Sequence, residues 1–90
     1  MTRIRIVVRG QVQGVGFRWF VREAARDAQL SGWVRNRHDG AVEVEAEGPR
    51  AAIDALRALI ARGPNGAVIQ SIDDVELSTD TLAKPFTIIR

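Results

Sequence analysis

The chain has 90 residues, 46% of them hydrophobic and 27% charged, the composition of a globular domain with one core rather than of a disordered or fibrous chain. It has no cysteine and a single histidine, His38, which excludes disulfides and thiolate metal sites and leaves too few ligands for a zinc centre. Thirteen basic residues against eleven acidic ones give a net charge of +2, a mild preference for anions rather than the footprint of a nucleic-acid binder.

The first segment, RIRIVVR at 3–9, alternates Ile4, Ile6 and Val8 with Arg3, Arg5 and Val7, the period-2 pattern of a half-buried strand. Residues 1–9 are too short an apolar stretch for a signal peptide, and no run approaches the length of a membrane span. A cytoplasmic protein without metal or cofactor is therefore expected. The loop GQVQGVG follows at 10–16, with glycines at 10, 14 and 16. Then Phe17, Phe20, Val21, Ala24, Ala25 and Ala28 recur at spacings of three and four, which predicts an amphipathic helix over 18–30, with Gly32 as a stop signal. Strands are expected at 33–37 and 41–47, joined by a tight turn at Asp39-Gly40, where positive φ angles are tolerated. A second helix spans 48–64, opened by Pro49 and closed by Gly63-Pro64, with Ile53, Leu56, Leu59 and Ile60 as its apolar stripe. Residues 67–77 carry Val68, Ile72, Val75 and Leu77 in a less regular pattern. The stretch DDVELSTDTLAKP at 73–85 reads as a loop toward a short final strand, Phe86–Ile89.

The order βαββαβ with a short extra C-terminal strand predicts an α+β, ferredoxin-like two-layer sandwich, with both helices on one face of an antiparallel sheet and residues 1–90 as one domain. Arg3, Arg5 and Arg9 share one face of the first strand, and Glu43, Glu45 and Glu47 share one face of the third. Opposite charges on neighbouring strands support each other, so these arginines read as a solvated, paired outer face rather than as a site.

The glycine loop offers more chemistry. Glycines at 10, 14 and 16 allow several backbone N–H groups to point inward as a concave nest for an anion. The following helix adds its own unpaired N–H donors and a partial positive charge, and Arg18, at the first helical position, brings a planar fork able to take two phosphate oxygens. Spacing alone leaves open a plainer reading, a glycine-rich connection with an arginine in solvent. The loop lacks the Gly-Lys-Ser/Thr ending of a P-loop and the G-x-G-x-x-G of dinucleotide binders. In this topology the first and second strands run parallel with the third between them, so Asn36, at the end of the second strand, lies on the same rim as the loop. An amide there could orient a water beside a bound phosphate, or it could simply start the turn. His38 and Asp39 nearby read as turn residues.

The blocks GQVQGVGFR at 10–18 and GWVRNRHDGAVEVEAEGP at 32–49 resemble the two signature blocks of the acylphosphatases, small enzymes that hydrolyse carboxyl-phosphate mixed anhydrides. Residues 63–75 and the closing F-x-I at 86–88 also match, so the likeness covers nearly the whole chain and is to the free-standing enzyme. It implies that Arg18 binds the phosphate, that Asn36 positions the attacking water, and that the backbone of Gly10, Gln11, Val12, Gln13, Gly14, Val15 and Gly16 is the phosphate cradle. Some family members carry a bulkier residue where this chain has Gly16, and the family's usual terminal tyrosine is replaced by the ending TIIR. The implied partner is a small-molecule acyl phosphate, with no nucleic acid or membrane and a monomeric protein.

The chemistry suits so sparse a site. An acyl phosphate expels a carboxylate that is already a stable anion, so no general acid is needed. Phosphoryl transfer through a loose transition state asks mainly for positioning and charge stabilisation. A non-catalytic anion-binding or nucleic-acid-binding module on the same fold is the alternative, because GVGFRWFV at 14–21 faintly echoes an RNA-recognition block. That block belongs on a third strand, whereas here the third strand carries glutamates.

Overall fold

Alternation in the first strand translates directly into layers. In the computed structural model, which describes residues 1–77 and 84–89, β1 (Thr2–Gln11) turns Ile4, Ile6 and Val8 into the core, each no more than 1% exposed. The remaining elements are α1 (Phe17–Asp27), β2 (Ser31–Asn36), β3 (Val42–Gly48), α2 (Arg50–Arg62), β4 (Val68–Leu77) and β5 (Thr87–Ile88). Phe17, Val21 and Ala25 of α1 and Ile53, Leu56 and Ile60 of α2 close over one face of the sheet, against Val34, Val42, Val44 and Ala46. This is the expected ferredoxin-like sandwich of two helices on one sheet.

The strand order is β4-β1-β3-β2-β5. β3 pairs antiparallel with β1 and with β2, and β4 pairs antiparallel with β1. β5 instead runs parallel to β2, with Trp33 opposite Thr87 and Val34 opposite Ile88. The sheet is therefore mixed, not wholly antiparallel. Because β4 and β2 point in opposite directions, a chain that reverses after β4 and reaches the far edge must align with β2.

Several boundaries differ from expectation for identifiable reasons. The first helix begins at Phe17 and ends at Asp27, after which Gln29 takes a positive φ of 57° and breaks the helical path. In the second helix Leu59 is 37% exposed, so the stripe narrows to Ile53, Leu56 and Ile60. Asp73 to Leu77 belong to β4 rather than to a loop. That strand lies at a sheet edge and exposes Val68 and Val75, so its apolar pattern is weak. The rest of the expected loop, residues 78–83, lies outside the described residues. Between β2 and β3 the turn centres on His38 and Asp39, closed by the Gly40 N–H donating to the Arg37 carbonyl at 3.2 Å, and Gly40 alone takes a positive φ.

The open face of the sheet is charged, as expected, but its glutamates are not solvated. Glu43, Glu45 and Glu47 are 5%, 5% and 8% exposed. Arg3 and Arg5 both donate to Glu45, at 2.6 and 3.0 Å, and Arg35 donates to Glu43 at 2.7 Å. The guanidiniums and their stems roof the carboxylates, as long cationic side chains do over buried surface. Arg9 lies past the last β1–β3 pair and meets Asp39 of the turn instead, at 3.1 Å.

Burial pushes the Glu45 carboxyl up, but the hydrogen bonds from Arg3 and Arg5 outweigh it and hold the group below its ordinary 4.5. A depressed carboxyl stabilises the fold above its unfolded value, and that contribution is lost as pH falls through the folded one. Glu45→Gln is expected to cost about 2 kcal/mol at neutral pH. The gap between variant and wild type should then close as pH drops below 4.5, which denaturant melts across acidic pH would measure.

Candidate active site

β1 carries a register shift between Arg9 and Gly10. Gly10 has φ +135°, and a Cβ there would collide with the Val68 carbonyl of β4. Its glycine therefore serves the approach of two strands. Gly10 and Gln11 both belong to β1, paired with Ile69 and Val68, and neither lines the cavity described below. The loop proper is 12–16. Val12, only 1% exposed, and Val15, half-buried on the core, anchor it from below.

Gly14 and Gly16 each have φ +76°, and a Cβ on either would meet nothing within 4 Å. Here the glycines answer to backbone conformation, and they leave the space above the loop open. Gly16 is the N-cap of α1, which has no side-chain cap and no acidic residue in its first turn. Most helices satisfy that end with a Ser, Thr, Asp or Asn side chain. Here, among the described residues, the backbone N–H groups of Gly14 to Trp19 make no hydrogen bond within the protein. The first helical bond is from the Phe20 N–H to the Gly16 carbonyl, at 2.9 Å.

Arg18 is the second residue of α1, one position later than expected, because Phe17 already has helical geometry. Its side chain is exposed and pairs with no carboxylate among the described residues. Its neighbours differ, since Arg9 and Arg37 both bind Asp39 and Arg35 binds Glu43. Asn36 ends β2, on the same rim as the loop because β1 and β2 are both antiparallel to β3. Its Oδ1 is buried and has no hydrogen-bond partner among the described residues. Such an orphaned acceptor is costly unless a ligand or water satisfies it.

Arg18, Asn36, Gly14 and Gly16 line one cavity of about 210 Å³, together with Val12, Phe17, Trp19 and Ile88. Two strand spacings, roughly 10 Å, separate β1 from β2, and the Gln13 side chain bridges that gap. Its Nε2 donates to the carbonyls of Arg37 and Ala41, at 2.8 and 3.0 Å. Gln13 thus fastens the loop to the β2–β3 hairpin. In the same turn Asp39 accepts from the Ala41 N–H and from Arg9, which holds its carboxyl below the ordinary 3.8. It is a fastened turn residue rather than a freely solvated one. His38 is exposed at the mouth of an adjoining cavity that Arg18 and Asn36 also line. Trp19 and Ile88, absent from the expected site, form walls; Trp19 was masked by its place between Arg18 and a helical stripe that excludes it.

Unpaired N–H groups, an unpaired guanidinium and an orphaned amide oxygen in one cavity can together hold an oxyanion and a water. A sequence profile of the acylphosphatase family matches residues 4–88. The chain belongs to the acylphosphatase family. An acylphosphatase of Chlorobaculum tepidum is 46% identical over 87 residues, covering 97% of this chain and 95% of that one. The crystal structure of the Bacillus subtilis acylphosphatase superposes with a TM-score of 0.96 at 39% identity, covering all of both chains. The fold also matches, at TM-score 0.91 and 33% identity, a segment that makes up 12% of full-length HypF, a protein solved in a phosphate- and nucleotide-bound form. Membership in the acylphosphatase family makes the chain an enzyme of that class, acting on small-molecule acyl phosphates. Among the described residues no helix is long and apolar enough to cross a membrane.

The Gln13 clamp yields a direct expectation. Gln13→Ala removes two hydrogen bonds of about 1 kcal/mol each, which should lower the melting temperature by roughly 4–8 °C per kcal/mol in a domain of this size. Backbone NMR order parameters of residues 12–16 should fall in the same variant while those of β3 stay unchanged.

Proposed function

We propose that the protein hydrolyses acyl phosphates by in-line attack of a water held by Asn36 on a phosphate held by Arg18, the backbone of the 12–16 loop and the first turn of α1. The observation that carries the reading is that one cavity is lined by Arg18, by Gly14, Gly16, Phe17 and Trp19, and by Asn36; among the described residues Arg18 pairs with no carboxylate, those four backbone N–H groups are unbonded and the buried Asn36 Oδ1 has no partner. An amide oxygen accepts a hydrogen bond from water and so turns a water lone pair toward phosphorus. A new P–O bond forms from the water, the P–O bond to the acyl oxygen breaks, and its electron pair leaves on the carboxylate.

The carboxylate needs no protonation to depart, so the site can dispense with a general acid and with a metal. Charge on the equatorial oxygens is met by the guanidinium fork and preorganised N–H donors, which need no reorganisation during the reaction. The same reading makes the enzyme a cytoplasmic, single-domain monomer that does not bind nucleic acid.

Hydrolysis of benzoyl phosphate in the presence of a chelator, with p-nitrophenyl phosphate as the ester comparison, tests the reaction. Rapid cleavage of the anhydride and little of the ester is expected. Arg18→Ala should lower kcat/KM by about 10³-fold and abolish competitive inhibition by inorganic phosphate. Asn36→Ala should lower kcat by about 10²-fold with a smaller effect on phosphate inhibition. Near wild-type turnover in folded Arg18→Ala or Asn36→Ala would refute the assignment.

A further inference from the structure

The cavity has two kinds of wall. Gly14, Gly16, Arg18 and Asn36 present donors and an acceptor, and these account for a phosphate and a water. Trp19 and Ile88 present apolar surface that neither of those uses. One water needs only about 15 Å³ of such space, so a cavity of about 210 Å³ leaves room beyond the five heavy atoms of a phosphate.

Trp19 is 57% exposed, although a tryptophan is ordinarily well covered. Its ring is nevertheless held, since the Arg22 guanidinium stacks over it at 4.4 Å from the centroid and Arg22 in turn lies 3.7 Å from Glu23. A cation over one face restrains the ring, and Trp19 also lines the cavity. Trp19 and Arg18 line the same cavity, so a group attached to a phosphate held there has the indole as one of its walls.

We propose that Trp19 is a specificity-determining residue, forming an acyl subsite that favours acyl phosphates whose acyl group is aromatic or bulky and apolar. The proposal rests on the phosphate site described above and names the substrate class that site accepts.

The test compares kcat/KM for benzoyl phosphate and acetyl phosphate in wild type, Trp19→Ala and Trp19→Phe, with inhibition by inorganic phosphate measured in each. Taking the ratio of the two substrates and comparing it between proteins cancels their different intrinsic reactivities. Trp19→Ala should lower the benzoyl-to-acetyl ratio about fivefold, the scale of one aromatic contact, and Trp19→Phe should retain most of it. Phosphate inhibition should stay within about twofold, because the N–H groups that hold the anion are backbone. An unchanged ratio in Trp19→Ala overturns the subsite. A parallel loss on both substrates together with weakened phosphate inhibition also overturns it, since Trp19 would then act by holding the loop. Full turnover in Arg18→Ala would instead remove the phosphate site itself, a failure separate from that of Trp19.

Discussion

Because β3 pairs antiparallel with β1 on one side and with β2 on the other, those two strands run parallel and end on a common rim, two strand spacings or roughly 10 Å apart. The loop that leaves β1 and the amide that ends β2 are 20 residues apart or more in sequence, yet this pairing makes them neighbours. No local preference of either segment could do so. The remaining distance is closed by one side chain, Gln13, which reaches two carbonyls of the opposite hairpin. The cavity is thus a consequence of sheet topology, finished by a clamp.

A second constraint concerns what the fold leaves undone. Across the open face of the sheet, arginines are matched to glutamates at 2.6–3.0 Å, and in the hairpin turn two arginines share Asp39. At the start of α1 this care is missing. Among the described residues the helix has no capping side chain, its first-turn N–H groups are unpartnered, and Arg18 is left without a carboxylate. The buried Asn36 Oδ1 costs stability until a donor such as water meets it, and the exposed residues of the loop and first turn leave their N–H groups open to an acceptor.

The glycines show why one residue type can carry two unrelated jobs in one short segment. At Gly10 the neighbouring strand leaves no room for a side chain, whereas at Gly14 and Gly16 the space is open and only the sign of φ excludes one. In the sequence the three read as a single motif spanning 10–16. Only the path of β4 beside Gly10 separates the structural glycine from the two that shape the cavity, and it narrows the loop to 12–16.

Local pattern was sufficient for much of the rest. Period-2 alternation in β1 and β3, the three-and-four spacing in both helices and the stop at Gly63 are short-range signals, so the βαββαβ order and the core faces of β1 and β3 were legible from residue spacing, whereas Gly32, expected as a helix stop, lies inside β2 against the Glu45 carbonyl. Arg18 and Asn36 could be singled out as well, since a glycine loop ahead of a helix and an amide at a strand end are chemically distinctive. The parallel placement of β5, the extension of β4 to Leu77, the burial of Glu43, Glu45 and Glu47 and the exposure of Leu59 were not legible. Each depends on which element packs alongside, and an edge strand or a roofed carboxylate carries no periodic mark. The Gln13 clamp and the Trp19 wall belong to the same class. By itself the sequence determined the elements, their order and which groups have the chemistry to be proposed for a phosphate site, because these follow from backbone preference and side-chain chemistry. Tertiary structure alone decided which of those groups meet, which charges are already spent on partners, and what else faces the cavity, because those depend on contacts between segments distant in the chain.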